Sequence, residues 1–521
     1  MLADAIQQYG ITSIIAVAAI STTLLGVIAR RAHRKPTPPG PESPWLGFGQ
    51  PLVPASSPWF TYQEWQKLYG DIVFYYAFGS PVAVINSAKI ADDLLDKRGA
   101  IYSSRPLRTM SRELMGWTWS LAGMPYGSDW RKYRTAFQKH FNPRATTRYE
   151  PLQLKEVQTF LRNLRRTPDD YYHHMRRHVL VDYSRALNAA ALVMKINYDH
   201  DIADEGDYYV ALADRAMNTL VKVLLHGSYA VDNLPILKYV PSWFPGANFQ
   251  VQAKEWRKDS TAMLEKPFEM VKKRMAEGTA GTCITTIELE DGDKEKTVDV
   301  QMIQGITAVS YAAGADTTVA AIMSFISAAM NDPVIQRKAQ EEIDRVVGND
   351  RLPTFEDRSA MPYVTGIVWE SLRWNPVAPL ALAHRTTADD VYGEYYIPKG
   401  TTIIPNVWGM LHDEAKYPDP FKFDPERFAD EKKNAQLGIN ELPQSAFGFG
   451  RRVCPGRWLA LDTVWVTIAS TLAVYNIEKP KDSNGVVIEQ PLEFTGAAVS
   501  RPKDFKCSFV PRSADALALF E

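Results

Sequence analysis

Cysteine is scarce: the 521 residues hold three, Cys283, Cys454 and Cys507, far apart in the chain. That spacing excludes a disulfide framework and any zinc site built on paired cysteines, and it suits a body kept in a reducing compartment. An excess of charge is missing as well. Lys and Arg total 59 against 60 Asp and Glu, a formal net charge of −1, which argues against nucleic acid as a partner. Internal repeats and long low-complexity linkers are also absent. The length alone allows about two to four domains, but without a linker one large domain is compatible with it.

What is present begins with Ile11 to Ala29, a run without a charge and close to the ~20 residues that cross a bilayer as helix. Arg30, Arg31, Arg34 and Lys35 follow it while only Asp4 precedes it, so the positive-inside rule places the downstream chain in the cytosol. A cleaved signal peptide would have a basic start and a shorter apolar region. The expected organisation is a short lumenal N-terminus over 1–10, a transmembrane anchor over 11–29, a basic and proline-rich hinge over 30–45, and the remaining body over 46–521. Within the hinge, Pro36-Thr37-Pro38-Pro39-Gly40-Pro41 must be stiff and extended, holding the body at a fixed attitude to the membrane.

Along the body, β-branched and aromatic residues alternate from 70 to 86 around Gly79-Ser80-Pro81, a hairpin signature. Helical periodicity covers about 128 to 142, 151 to 198, 207 to 226, 250 to 277, 299 to 330, 333 to 347 and 362 to 374. Short strands are expected near 390 to 405 and at the C-terminal end. The charged run Glu288 to Lys296 reads as an exposed loop. The aromatic, proline-bounded stretch Val240 to Gly246 reads either as a membrane-interface loop or as interior packing.

The chemistry concentrates in Phe447-Gly448-Phe449-Gly450-Arg451-Arg452-Val453-Cys454-Pro455-Gly456. Gly448, Gly450 and Gly456 can take φ > 0 and bring backbone N–H groups close to a ligand. Pro455 fits the first position of a helix running through the apolar segment Trp458 to Tyr475. Cys454 would then lie at a positive helix terminus beside Arg451 and Arg452, where a thiolate is favoured. One thiolate does not make a zinc site, but it does suit haem, whose porphyrin supplies four nitrogens and leaves one axial position to the protein.

This run resembles the haem-binding loop of the cytochrome P450 superfamily, matched at Phe447, Gly450, Arg452, Cys454 and Gly456. The resemblance extends over nearly the whole chain. It implies a mainly α fold with small β-sheets (α+β), preceded by a single N-terminal transmembrane helix. The body would be a haem-binding monooxygenase domain with haem b on Cys454, inserting oxygen from O2 into a hydrophobic small molecule. In the apolar helix Gln301 to Met330, Ala313-Gly314-Ala315-Asp316-Thr317-Thr318 is similar to the family's oxygen-binding groove. Threonine hydroxyls there can bond the preceding turn and open the helix locally. By resemblance Ala313 and Gly314 would face the haem, Thr317 would hydrogen-bond the bound oxygen, and Asp316 would relay protons that cleave the O–O bond.

Glu370 and Arg373 stand at i and i+3 on an otherwise apolar helix, which suggests a buried bidentate pair. The resemblance adds Arg427 and implies a structural lock behind the haem loop. Trp130 and Arg134, at i and i+4, can reach one site from one helix, with Ser128 or Asp129 as its cap. They resemble the family's propionate-binding element; Arg452, His384 and, more weakly, Arg105 are candidates for the same role. The implied substrate pocket takes in Met115, Trp117, Val309, Ala312, Val377, Leu380 and Ala497.

No flavin or nicotinamide fingerprint is visible, so electrons are expected from a separate partner; the resemblance implies NADPH-cytochrome P450 reductase, with cytochrome b5 as a further candidate, on the cytosolic face of the endoplasmic reticulum membrane. In detail, Glu113 to Trp117 and Trp243 to Gly246 look most like microsomal members of higher fungi that tailor secondary metabolites such as terpenoids, polyketides or indoles. Other readings are a haem-thiolate isomerase or dehydratase, a haem sensor, and a haem-free membrane receptor or transporter. The first would not need Asp316 and Thr317, and the last is disfavoured by a single spanning segment.

Overall fold

The computed structural model describes residues 35–42, 51–168, 171, 189–203, 206–224, 229–295, 298–428, 431–436 and 442–520. The expected lumenal segment and anchor lie outside the described residues. The longer helices are α1 (Pro58–Tyr69), α2 (Ser128–Phe141), α3 (Glu150–Arg166), α4 (Ala189–Tyr198), α5 (Tyr208–Leu224), α6 (Asn248–Ala276) and α7 (Ile284–Glu295). They continue with α8 (Val300–Asn331), α9 (Pro333–Val346), α10 (Pro362–Trp374) and α11 (Arg457–Val474). Strands β1 (Ile72–Ala77), β2 (Ser80–Ile85), β3 (His384–Arg385) and β6 (Thr402–Pro405) make one sheet in the order β1-β2-β6-β3. Pairs β4 (Asp390–Tyr392) with β5 (Tyr395–Ile397), and β7 (Tyr475–Glu478) with β8 (Ser508–Pro511), complete the minor β part. The fold is mostly helical with small sheets, as expected.

Helix α8 is the axis of the molecule. Its N-terminus is capped by Asp299, which accepts the Met302 N–H at 2.9 Å. Its length and apolarity would let it cross a membrane, but its neighbours α4, α10 and α11 cover most of its surface. The C-terminal half packs with α3, α9, α10 and α11 around Phe325, Ile367 and Trp465, and the N-terminal half with α2, α4, α5 and α6 around Tyr133, Met194 and Ile306. Burial on all sides explains why its sequence shows no polar face. Gly305 and Gly314 permit the closest approaches, since a Cβ on Gly314 would lie 3.1 Å from Val193 of α4. The helix is continuous through 313–318 instead of opening there. Thr317 and Thr318 bond the Ala313 and Gly314 carbonyls at 2.8 and 3.3 Å without breaking the ladder.

Four local expectations are corrected. The span 151–198 is not one helix: α3 stops at Arg166, where Thr167 takes an extended φ of −141°, and α4 begins at Ala189. Glu288 to Lys296 is not a loop up to Glu295, because α7 covers it. Glu288 is drawn inward by the His140 imidazole (2.7 Å) and Lys139 (2.9 Å), while Ile284 and Leu289 bury beside it. A charged run was read as solvated when its partners lay on α2. Ser128 and Asp129 do not cap α2, since Gly127 occupies that position and both residues fall in the first turn. The stretch Val240 to Gly246 is not interior packing: Trp243 and Phe244 are 79% and 52% exposed.

The described part of the hinge is docked, not free. The Pro39 carbonyl accepts from Phe74 N–H at 2.9 Å and the Pro36 carbonyl from Tyr396 N–H at 2.8 Å, so the strap is tied to β1 and to β5. Gly40 has no room for a side chain: a Cβ would lie 1.9 Å from the Phe74 carbonyl oxygen. Gly40→Ala must displace the strap or strand β1, and the expected loss is about 1–3 kcal/mol. A lowered thermal midpoint checks this, and an unchanged midpoint would show that the strap is not seated in solution.

Candidate functional site

Cys454 lies between the Phe447–Gly448 turn and the start of α11. Its backbone N–H donates to the Phe447 carbonyl at 2.8 Å, closing the loop on itself. Two glycines make that closure possible: Gly448 has φ +84° and Gly450 has φ +50°, and a Cβ on Gly450 would meet the Leu95 carbonyl oxygen at 2.3 Å. The helix starts later than expected. Gly456 is the N-cap and Arg457 the first residue of α11, so Pro455 stands outside it in the preceding turn.

The cations nearest the sulfur also differ from those expected. Arg451 turns outward to the Tyr126 hydroxyl, while Arg134 and Arg457 act on Cys454, with the Gly456 N–H as donor to the sulfur. Arg457 further holds the Cys454 carbonyl at 3.1 Å, and Arg134 the Val453 carbonyl at 2.8 Å. Burial pushes the thiol up, and these groups pull it back only in part. A bound metal cation would settle the balance by displacing the proton. Among the described residues no group of three His, Cys, Asp or Glu could hold a metal. A metal on this sulfur must therefore bring its other ligands with it, as a porphyrin does.

Arg105, Arg134, Arg452 and His384 are all buried, and no described carboxylate pairs with any of the three arginines. Arg105 spends its donors on the carbonyls of Ala122 (3.0 Å), Leu382 (2.5 Å) and Ala383 (3.0 Å). Arg452 spends its own on Ser103 (2.7 Å) and Met124 (2.7 Å), stacked over Trp130 at 4.4 Å. Burial lowers Arg105 to about 9, Arg134 to about 10 and Arg452 to about 8. His384 donates Nδ1–H to the Tyr102 carbonyl at 2.8 Å, and burial with the nearby arginines keeps its ring neutral. Buried cations without counter-charge are costly. The cluster fits a dianionic edge, and the two propionates of haem b supply one.

A cavity joins the sulfur to α8. Cys454, Pro455 and Gly456 line it together with Ala313, Gly314, Thr317 and Thr318. The expected oxygen groove and the expected ligand loop thus face one space. Asp316 is half-buried on the same helix. Gln153 and Glu156 of α3 and Thr463 and Thr467 of α11 also line the cavity. Sequence reading missed them, although their i, i+3 and i, i+4 spacing was visible. The seven expected pocket residues lie elsewhere. Met115, Trp117, Val309 and Ala312 are buried in the core cluster that includes α2 and α4, while Val377, Leu380 and Ala497 are half-buried near the C-terminal segment and the sheet.

Behind the loop, Glu370 and Arg373 are wholly buried and paired twice, at 2.6 and 2.7 Å. Arg427 approaches the same carboxylate at 3.3 Å. The buried pair expected from the i, i+3 spacing is present, and Arg427, which the resemblance adds, meets the same carboxylate.

The cytochrome P450 family model matches residues 38–509. The cytochrome P450 monooxygenase COX2 of Coprinopsis cinerea is 39% identical over 88% of this chain and 86% of its own length. The tryptamine 4-monooxygenase of Psilocybe cyanescens is 37% identical over 96% and 98%. The cytochrome P450 monooxygenase claR of Ampulloclitocybe clavipes is 38% identical over 96% and 91%. With the loop, the groove and the lock in place and the match spanning nearly the whole length, the chain belongs to the cytochrome P450 family.

Proposed function

We propose that Cys454 would hold haem b through its thiolate, that Trp130, Arg134, Arg452, His384 and Arg105 would receive its propionates, and that the enzyme tailors a hydrophobic secondary metabolite. The buried arginines without described carboxylate partners carry this reading: Arg134 acts on the Cys454 sulfur itself, and Arg105 and Arg134 both act on Arg452. Membership of the family brings a haem-thiolate monooxygenase, with dioxygen, NADPH-derived electrons and a reductase partner. When bound, the haem supplies activation of dioxygen and the oxidising equivalent for insertion into a C–H bond.

The residues supply the rest. Ala313 and Gly314, which line the cavity with Cys454 and carry little side-chain bulk, would leave room there for dioxygen and substrate. Thr317, whose hydroxyl donates to the Ala313 carbonyl, would hold a proton on the cavity side of α8, and Asp316 would replenish it from the solvent side. Met115, Trp117, Val309, Ala312, Val377, Leu380 and Ala497 shape the substrate's approach as α8 and the sheet adjust around the filled site. Residues 11–29 anchor the body to the endoplasmic reticulum membrane, NADPH-cytochrome P450 reductase is the electron donor, and cytochrome b5 is a second one. The exposed Ile236, Tyr239, Trp243 and Phe244 support a face that meets lipid.

A relative named for tryptamine, matched over nearly its whole length, favours indoles among the terpenoid, polyketide and indole classes. Haem-spectral shifts screened against those classes, followed by turnover under labelled dioxygen, test the proposal. Label in the product is expected, and a product without label would point to isomerase or dehydratase chemistry. Thr317→Ala is expected to keep NADPH consumption while product falls and peroxide rises severalfold. Unchanged coupling would remove the threonine from the proton path.

A further inference from the structure

One limb of the cavity runs past Cys454 between α3 and α11, where Gln153 and Glu156 face Thr463 and Thr467. Gln153 is 1% exposed. Its Nε2 donates to the Thr463 hydroxyl at 2.8 Å and to the Leu459 carbonyl at 3.3 Å. The Thr463 hydroxyl spends its own proton on that carbonyl at 2.8 Å. Turning the amide over would set its oxygen beside the Leu459 carbonyl and oblige Thr463 to give up its bond to that carbonyl, so the orientation shown is the one the surroundings favour. In that orientation, Oε1 is buried and no described group donates to it. A buried carbonyl in a cavity wall without a donor marks the place of a missing one. Val157, Ile322 and Leu459 line the same cavity, so the donor must be small and find its partners among the amide, the hydroxyls and the carboxylate, and water is the donor that does.

We infer that this limb holds water, with one molecule donating to Gln153 Oε1 in a hydrogen-bonded file between Glu156 and the hydroxyls of Thr317 and Thr318. Glu156 stands one turn along α3 from Gln153 and is half-buried, so the file begins at a carboxylate within reach of solvent. Thr317 and Thr318 line the same cavity from α8. The file is a proton route separate from Asp316, and it rests on the oxygen-inserting reading above. Inserting one atom of dioxygen and releasing the other as water consumes a pair of electrons and a pair of protons. NADPH supplies the electrons through the reductase, and bulk water supplies the protons. A proton taken up at Glu156 passes to the adjacent water while that water's own proton moves on, so charge is conserved along the file. Gln153 neither gains nor loses a proton, which makes it a positioning residue.

The haem-loaded enzyme with its reductase, given the compound returned by the spectral screen, tests this with Gln153→Leu and Glu156→Gln. Both variants are expected to keep haem content and the carbon monoxide difference band. Peroxide released per NADPH should rise severalfold, and the solvent deuterium isotope effect on turnover should grow. A crystal structure of the haem-loaded chain should show an ordered water within hydrogen-bond distance of Gln153 Oε1, lost in Gln153→Leu. A limb that stays dry and takes up xenon overturns the inference, and so does unchanged coupling in Glu156→Gln. Should Gln153→Leu fail to fold, Glu156→Gln and the water position decide. Loss of the carbon monoxide band in the unaltered protein would sink the haem reading instead.

Discussion

Cys454→Ala is expected to abolish the thiolate signature of the carbon monoxide difference spectrum and all monooxygenase turnover, while leaving a folded chain. The loop closes through backbone atoms, the Cys454 N–H on the Phe447 carbonyl and Arg457 on the Cys454 carbonyl, and alanine keeps both. Gly448 and Gly450 hold their positive φ whatever stands at 454. What disappears is the only described sulfur in the cavity; Cys283 and Cys507 are buried elsewhere, in separate parts of the core. Haem could still be drawn in by Arg105, Arg134 and Arg452, because the propionate contacts do not depend on the sulfur. The variant should therefore bind some pigment with a spectrum unlike that of the parent. Activity should fall to background, since thiolate donation is what favours O–O cleavage. A variant that kept the thiolate band would show that Cys454 is not the ligand.

The parts of the site that lie close together in sequence were legible. Phe447 to Gly456 and Ala313 to Thr318 each bring their groups within ten residues of one another, so residue type and spacing carry the geometry. Glu370 and Arg373 were equally readable, because an ion pair on an apolar helix face can only be buried and bidentate. What is less legible is long-range. Arg105 reads only as a weaker candidate, because it meets the site through Leu382 and Ala383, some 280 positions away in the chain, and its local pattern differs little from that of a surface arginine. Glu288 looked solvated because its partners, Lys139 and His140, stand on another helix. The late start of α11 at Arg457 follows from the turn that Cys454 itself requires, which overrides the preference of Pro455 for a first helical position. Gln153 was invisible for a further reason: its significance is an oxygen without a partner, and only coordinates reveal that.

Glu370→Ala is expected to be the most destabilising single change outside the ligand loop. Both members of the pair are fully buried, so removing the carboxylate strands the Arg373 guanidinium with only the Leu411 (3.0 Å) and Lys422 (3.2 Å) carbonyls. It also takes the acceptor from the Asp424 N–H, bound at 2.8 Å, and the partner from Arg427. Breaking one side of such a pair costs about 3–5 kcal/mol, a large share of the roughly 5–15 kcal/mol that holds a typical protein folded. The damage reaches the ligand loop through the next residue. Trp369 packs edge-on against Phe428 at 5.6 Å and joins the cluster that contains Phe449. Haem retention should therefore fall together with the thermal midpoint. Glu370→Gln should recover little, because an amide still accepts from Asp424 but leaves Arg373 without counter-charge. The double change Glu370→Leu with Arg373→Met separates charge from architecture: it removes both buried ions and should be more stable than either single variant. If it regains stability but not haem, the triad positions the loop as well as stabilising the fold. If Glu370→Ala alone melts with the parent and keeps its haem, the lock contributes nothing and the loop is held by the Phe449 cluster unaided.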